Sequence, residues 1–254
     1  MSPSETATVI DSTSTRRCII AADLHCDGSA RRLAMLEALL RSCHQLDASC
    51  YLLGDLFDVW LGPGQLTLQQ TRREVEALQR AVAANIDVVV IPGNRDFLLD
   101  EAFERATGVV VGGDHLLLET GDQRWHLSHG DLIGTADVGY QRLRKILRSG
   151  PFRMLVRHMP LLLCRALATF LRRRSRKSLQ RKDPARIQPD LQLIGQLVES
   201  GFDQVVCGHY HRPSEEFLER GGSRGVFTVL EAFEDRGAHL FIEDGVVELR
   251  YLPS

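Results

Sequence analysis

The sequence predicts an α/β fold built on a mostly parallel sheet, with a helical insertion late in the chain. Three observations predict it. Short apolar runs alternate with amphipathic helical patterns over the first hundred residues. Residues able to carry chemistry cluster directly after those runs. A basic, proline-broken stretch then displaces the alternation before it resumes.

Cys18-Ile19-Ile20-Ala21-Ala22 reads as a buried strand. From Arg31 to Cys43, Leu33, Leu36, Leu39 and Leu40 fall on one helical stripe. Tyr51-Leu52-Leu53 is the next strand, Leu68 to Ala84 the next helix, and Asp87 to Ile91 a third strand. Shorter strands are expected near His115–Glu119 and Arg124–Leu127, joined by the turn pair Gly121-Asp122. Helices then break at Gly150-Pro151 and at Pro160. Helix Leu191–Glu199 and strand Gln204–Cys207 restore the α/β pattern, and the last fifty residues read as small strands with Gly turns. No internal repeat is visible.

Length and composition fit one globular domain carrying an insertion: 254 residues are ample for a buried core, and 44% hydrophobic with 25% charged residues is the ordinary globular mixture. The net charge of -2 names no partner, but its distribution is uneven. Between Tyr140 and Arg186 stand fifteen Lys or Arg and one acid, Asp183, which leaves 16 bases against 32 acids elsewhere. The six cysteines form no CxxC pair, and Cys18, Cys50 and Cys207 lie in apolar runs, so they read as small buried hydrophobes. Residues 1–15, rich in Ser and Thr, read as a disordered tail without the apolar core of a secretory signal. No run approaches the ~18–20 apolar residues of a spanning helix. A cytoplasmic protein is expected.

Five fragments carry the chemistry: Asp23-Leu24-His25, Gly54-Asp55-Leu56-Phe57-Asp58, Gly93-Asn94-Arg95-Asp96, His129-Gly130-Asp131 and Gly208-His209-Tyr210-His211. Four directly follow strand candidates, and loops at the carboxyl ends of strands are where α/β sheets place their sites. Carboxylate, amide oxygen and imidazole together suit Mn²⁺, Fe²⁺ or Zn²⁺ in a site without thiolate. Taken singly each fragment is ordinary, since Asp-x-His arises by chance and Gly-Asn at a strand end is most often a turn. The ordered set of five is not ordinary.

In that order and setting, the five fragments resemble the calcineurin-like metallophosphoesterase superfamily, from about Arg17 to the last strands. The resemblance implies a four-layer αββα sandwich with an inserted helical cap, placed at about residues 135–186 of a domain spanning 16–254. It also implies two divalent metal ions. Asp23, His25 and His211 would bind the first, Asn94, His129 and His209 the second, and Asp55 would bridge them. Two such ions ~3.5–4 Å apart repel, which a shared carboxylate and a shared hydroxide offset; the hydroxide is then the natural nucleophile. No protein nucleophile is needed.

The third fragment carries Arg95 where many members carry a His that assists the leaving group. Arg stays charged and cannot act as a general acid, but it can grip a phosphate oxygen. A phosphate leaving group needs no proton, so Arg95 favours pyrophosphate cleavage. Gly54–Trp60, Gly93–Leu99, His129–Asp131, Thr135–Gln141 and His209–Pro213 further resemble the UDP-2,3-diacylglucosamine pyrophosphohydrolase family. That resemblance implies hydrolysis of a UDP-linked diacyl sugar to UMP and a lipid monosaccharide phosphate in lipid A synthesis, with Mn²⁺ as the metal. It implies catalytic roles for Asp55, Arg95 and His209. Substrate contacts would come from Asn94, Arg95, Asp137 and Tyr140, and from Arg174, Ser175 and Lys182 in the cap. The sequence departs from the family at Gly62-Pro63-Gly64, at Lys177-Ser178-Leu179 and at Leu230-Glu231-Ala232-Phe233.

The cap places Phe152, Leu155, Val156 and Met159 at helical spacing, then Leu163, Leu167, Phe170 and Leu171, then Arg172-Arg173-Arg174. One reading is an amphipathic pair packed on the domain. The other has it hold acyl chains and meet anionic headgroups, a peripheral attachment to the inner membrane. Nucleic acid is not an expected partner, because no aromatic platform accompanies the charge. A phosphoesterase for a soluble phosphodiester or nucleotide, and a scaffold without catalysis, are the alternative functions. Composition and motifs set no oligomeric state.

Overall fold

The computed structural model describes residues 7–10, 17–60, 62–134, 138–157, 159–160, 162–164, 166–167 and 188–253. The strands run β1 (Ala7–Ile10), β2 (Arg17–Ala21), β3 (Ser49–Leu53), β4 (Val88–Ile91), β5 (Val110–Val111) and β6 (His115–Thr120). They continue as β7 (Gln123–Ser128), β8 (Gln204–Cys207), β9 (Ser214–Arg220), β10 (Ser223–Val229), β11 (His239–Glu243) and β12 (Val246–Arg250). Helices α1 (Ala30–Leu46), α2 (Gln69–Ala83) and α3 (Glu101–Thr107) fill the first half. After them come α4 (Val138–Leu147), α5 (Gly150–Arg157), α6 (Leu191–Glu199) and α7 (Phe233–Arg236).

The strands form two six-stranded sheets, ordered β12-β11-β2-β3-β4-β5 and β1-β6-β7-β8-β10-β9. In the first, β2 to β5 are parallel and β11 and β12 antiparallel. In the second, β7, β8 and β10 are parallel neighbours. Parallel strands covered on both faces read as continuous apolar runs, and the period-2 alternation then assigns each side chain to a layer. Cys18, Ile20, Tyr51, Leu53, Val89 and Ile91 point inward to Leu116, Leu118, Trp125, Leu127 and Val206 of the other sheet. Ile19, Ala21, Cys50, Leu52, Val88 and Val90 point outward and meet Leu36, Leu39 and Cys43 of α1, Leu78 of α2 and Phe103 of α3. On the far side, Val205, Cys207, Phe227 and Val229 pack on Ile194 and Val198 of α6. The result is the expected αββα sandwich. Caps delimit its helices: Ser29 accepts from the Arg32 N–H ahead of α1, Asp100 from Ala102 ahead of α3, and Asp190 from Gln192 and Leu193 ahead of α6.

One expectation needs correction. The first fifteen residues do not all form a tail, because Ala7–Ile10 pairs in parallel with His115–Leu118 as β1. Three β-branched residues in a row, Thr8-Val9-Ile10, suit a strand once a sheet edge is available, a tertiary gain that local composition hides. All six cysteines are buried and free, as the apolar runs around Cys18, Cys50 and Cys207 suggested for those three.

The described part of the cap comprises α4, α5 and the short stretch after them. The apolar stripe of α5 is split. Val156 and Cys164 are buried, with Phe152, Met159 and Leu167 packed beside them against the helix-side core. Met154, Leu155, Leu162 and Leu163 stay exposed, as does Ile146 of α4. Two of the basic residues are structural. Arg144 reaches Asp131 at 2.9 Å and Asp114 at 2.5 Å, while Arg148 pairs with Asp114 and donates to the carbonyls of Pro92 and Gly93 at 3.0 and 3.1 Å. Burial alone would raise the Asp131 carboxyl, but Arg148 and Arg144 outweigh it and hold it well below the usual carboxylate range.

His126 of β7 lies buried with its ring 4.8 Å from His115 and edge-on to Phe202 at 5.4 Å. Burial, aided by His115, pulls its imidazole from the ordinary 6.5 down to about 3. The neutral ring therefore contributes stability that is intact above pH 6.5 and is lost as pH falls toward 3, because only the unfolded chain takes up the proton. The expected slope is about 1.4 kcal/mol per pH unit. Urea midpoints compared at about pH 7.5 and about pH 5 measure it, and His126→Gln flattens the dependence. Equal slopes for variant and wild type would remove His126 as a source.

Candidate metal centre

Every fragment of interest leaves the carboxyl end of a strand. Asp23 and His25 follow β2, Asp55 follows β3, Asn94 follows β4, His129 follows β7, and His209 and His211 follow β8. Parallel neighbours deliver these loops to one edge of each sheet, and hydrogen bonds join the edges. His129 Nδ1 donates to the Leu53 carbonyl at 2.9 Å, and the His209 N–H donates to Asp23 Oδ2 at 2.8 Å. The β2 loop also runs along the β3 loop, through His25 N to Asp55 O at 2.9 Å and Cys26 N to Leu56 O at 2.8 Å.

The backbone at the site is forced. Asp23, His25, Asp55, His209 and His211 all have φ between 49° and 70°, a left-handed region that few non-glycine residues occupy. Packing is equally tight. A Cβ on Gly54 would stand 2.5 Å from His129 Nδ1, one on Gly93 would strike Asp55 Oδ1, and one on Gly208 would strike Asp23 Oδ2. Glycine precedes Asp55, Asn94 and His209 because a neighbouring ligand fills the space where a side chain would be.

Two groups of ligand atoms result. In one, Asp23 Oδ1 lies 4.0 Å from His25 Nε2 and 3.8 Å from His211 Nε2, and the two imidazoles stack in near-parallel planes at 5.5 Å. In the other, the Asn94 amide lies 2.8 Å from His209 Nδ1 and 3.2 Å from His129 Nε2, and the two ring nitrogens are 3.2 Å apart. Asp55 faces both: Oδ1 is 3.7 Å from His129 Nε2 and Oδ2 is 4.0 Å from His25 Nδ1.

This donor set fits a pair of hard or borderline cations. Asp23 Oδ1 and both ring nitrogens of His25 are buried with no hydrogen-bond partner, which is costly unless a ligand takes their lone pairs. Asp23, His25 and His211 form one convergent set, and Asp23, Asp55 and His129 another. The His129 Nδ1–H bond to Leu53 fixes the tautomer that leaves Nε2 as a lone pair, the usual support for a ligating imidazole. Burial drives His25 down to about 2, with Arg95 and the neighbouring imidazoles adding to it, and burial with His129 takes His209 to about 3. Both rings are neutral donors at any ordinary pH. Burial also raises Asp23 to about 6, opposed by His129 and reinforced by Asp55. Nearby cations would pull it back down.

The structure brings all seven sequence-expected ligands together. Arg95 lies beside them, held by carboxylates: its N–H donates to Asp55 Oδ1 at 2.8 Å, Nε is 3.3 Å from Asp55 Oδ2, and Nη1 donates to Asp58 Oδ1 at 2.7 Å. Its side chain remains 38% exposed, so it is reachable from solvent. Asp137, Arg174, Ser175 and Lys182 lie outside the described residues, as does the side chain of Tyr140, whose backbone belongs to α4.

Three further contributors escape sequence reasoning. Buried Asp96 accepts from Gly93 N at 2.7 Å and Phe57 N at 3.3 Å, tying the β3 and β4 loops. Arg148 steadies the Gly93 carbonyl from the cap. Glu234 brings Oε1 to 3.8 Å from His25 Nε2 while its other oxygen pairs with Arg32. Its signal is present in the chain: Leu230-Glu231-Ala232-Phe233-Glu234 follows β10, a sixth strand end on the same edge, and Glu234 N donates to Asp23 O at 3.2 Å.

These strand-end carboxylates, amide and imidazoles on an αββα sandwich suit a metallophosphoesterase, and the calcineurin-like phosphoesterase family matches residues 16–213, so the chain belongs to that family. It is accordingly a metal-dependent phosphoester hydrolase. Its relatives include proteins called UDP-2,3-diacylglucosamine hydrolase. The one from Pseudomonas entomophila is 33% identical over 76% of this chain and 81% of its own length. That from Shewanella pealeana is 32% identical over 93% and 98%, and that from Stutzerimonas stutzeri 31% over 89% and 95%.

A test of the site follows from its packing. Gly93→Ala must displace Asp55, so the folded variant is expected to bind divalent metal roughly ten- to hundredfold more weakly, by calorimetric titration. Unchanged affinity with an unchanged circular dichroism spectrum would show that Asp55 is not held in place by that close approach.

Proposed function

We propose that this chain hydrolyses the pyrophosphate bond of UDP-2,3-diacylglucosamine, giving UMP and 2,3-diacylglucosamine 1-phosphate, a step of lipid A biosynthesis. One observation carries the reading. The helical cap that exposes Ile146, Met154, Leu155, Leu162 and Leu163 is bolted by Arg148 to the Gly93 carbonyl, next to ligand Asn94. A soluble nucleotide gives no reason for an apolar surface tied to the metal centre, whereas acyl chains do. The names borne by the relatives point the same way.

In this reading Asp23, His25 and His211 would hold one Mn²⁺ and Asn94, His129 and His209 the other, with Asp55 serving both. Bound there, the ions would supply polarisation of the phosphoryl group and an activated water. The chain does the rest. Asp55 is fixed by the Arg95 N–H and guanidinium, which sets the spacing of the two halves. Arg95, with donors beyond those used by Asp55 and Asp58, grips a phosphate oxygen of the substrate and supplies no proton, as a phosphate leaving group allows. Asp137, Tyr140, Arg174, Ser175 and Lys182 complete the substrate contacts from the cap.

The assay is direct. With Mn²⁺, the expected products from UDP-2,3-diacylglucosamine are UMP and the 1-phosphate, activity is lost on chelation, and Mn²⁺ restores it best. Arg95→His should slow this reaction while sparing a phosphodiester with an alkoxide leaving group, where a proton donor helps. Release of UDP, or turnover of soluble nucleotides alone, would replace the proposal with a soluble-substrate phosphoesterase.

The cap also supports a peripheral place at the cytoplasmic face of the inner membrane. Exposed Arg142, Lys145 and Arg153 accompany the exposed apolar residues, the pairing that anionic bilayers attract. Among the described residues no helix is long and apolar enough to cross a membrane. Met154→Glu with Leu155→Glu is expected to weaken flotation with anionic vesicles and hydrolysis of the lipid substrate, while sparing a small aryl phosphodiester. Equal loss on both substrates with unchanged flotation would make this surface a packing face.

A further inference from the structure

Two edge strands of the sandwich, β9 with seven residues and β12 with five, each belong to a hairpin whose phase can be read. Asp244-Gly245 between β11 and β12 has φ of 49° and 81°, a two-residue turn with both residues left-handed. Such a turn makes Glu243 and Val246 a hydrogen-bonded pair, so Phe241–Glu248 and His239–Arg250 are hydrogen-bonded too. The Leu252 N–H bond to Gly237 O keeps this phase past the end of the strand. The backbone groups of Val247, Leu249 and Tyr251 therefore point away from the sheet. Their side chains share one face, where Val247 is 39% and Leu249 53% exposed.

An antiparallel copy of β12 centred on Leu249 fits this edge. Leu249 would face Leu249 and Val247 would face Tyr251, each as a hydrogen-bonded pair. Glu248 would face Arg250 at the closer non-hydrogen-bonded positions, where opposite charges interact best. Every outward donor and acceptor over these five residues is then used, and the apolar side chains meet their own kind. The edge at β9 shows what a blocked strand looks like. Its turn, Gly221-Gly222, also has two positive φ angles, 59° and 83°, which leaves Glu215, Phe217 and Glu219 pointing out. A copy centred on Phe217 would set Glu215 against Glu219 on both sides, a like-charge guard against self-pairing. β5, at the other end of the β12 sheet, has only two residues. Of these three edges, β12 is the one that lacks protection.

We propose that two copies of this chain join through β12, antiparallel about a two-fold axis at Leu249, into one continuous twelve-stranded sheet. The contact is isologous and closes on itself, so it yields a dimer and no longer polymer. None of the substituted residues, Glu248, Leu249 and Arg250, is among those assigned to the metal centre, which leaves hydrolysis in the separated variants a fair control.

Sedimentation of the full chain reads the proposal. Wild type is expected as a dimer, and Leu249→Lys or Glu248→Arg halves the measured mass. Glu248→Arg combined with Arg250→Glu restores the dimer, since the facing charges are again opposite. Leu249→Cys supplies an exposed thiol where the six native ones are buried, and it should cross-link on oxidation across a Cα separation of about 5.5 Å. Phe217→Cys should not cross-link. A wild-type monomer at every concentration overturns the proposal. So does a dimer whose mass ignores these substitutions and in which the thiol introduced by Leu249→Cys stays free.

Discussion

Close approach of backbone and ligand at one edge of two sheets is the constraint on which the remaining structure depends. Asp, Asn and His side chains converge from five loops, and side chains on adjacent residues would fill the space they need. Gly54, Gly93 and Gly208 remove those side chains. Left-handed backbone at Asp23, His25, Asp55, His209 and His211 then turns the ligands back toward one point. Neither device is stable alone. Each left-handed residue costs of order 1–3 kcal/mol, and the buried carboxylates and imidazoles cost more. The layered core beneath, with Ile20, Leu53 and Ile91 sealed against Leu127 and Val206, is what offsets that cost.

The cap extends the same logic into electrostatics. Asp114 and Asp131 are acids near the metal centre that would otherwise add negative charge to it. Arg144 and Arg148 neutralise them and thereby dock α4. Such buried pairs hold geometry more than they stabilise the fold. The geometry held here is that of the Gly93 carbonyl, one residue from Asn94. So the basic character of the insertion has two origins, one inside the fold and one at its surface.

Much of this was legible in the sequence, for identifiable reasons. Strands such as Cys18–Ala22 and Gln204–Cys207 announce themselves because burial on both faces demands unbroken apolar runs. Ligand loops announce themselves because Gly, Asp, Asn and His are the residues that tolerate the required backbone. What stayed hidden depends on distance in space. β1 exists because β6 offers it an edge. Glu234 reaches the site because β10 lies beside β8, an adjacency no local pattern encodes. Met154 and Leu155 share a helix with Val156, yet only the packing partner decides which of them is covered. Arg144 and Arg148 look like surface charge until Asp114 and Asp131 are seen beneath them.

Cysteine has a last consequence for the centre. Cys26 follows His25 directly, and Cys207 stands two residues before His209, so thiols lie within one or two residues of ligands on both sheets. Both are fully buried in apolar layers. Burial pushes both well above the ordinary thiol range, reinforced by Glu74 for Cys26 and by Asp23 for Cys207. Packing keeps both out of the donor set, Cys26 in the helix-side core and Cys207 in the core beneath α6. The fold thus withholds sulfur from a site that sits beside it and offers oxygen and nitrogen alone. The donors that face the site are carboxylate, amide and imidazole, a set that suits hard or borderline cations.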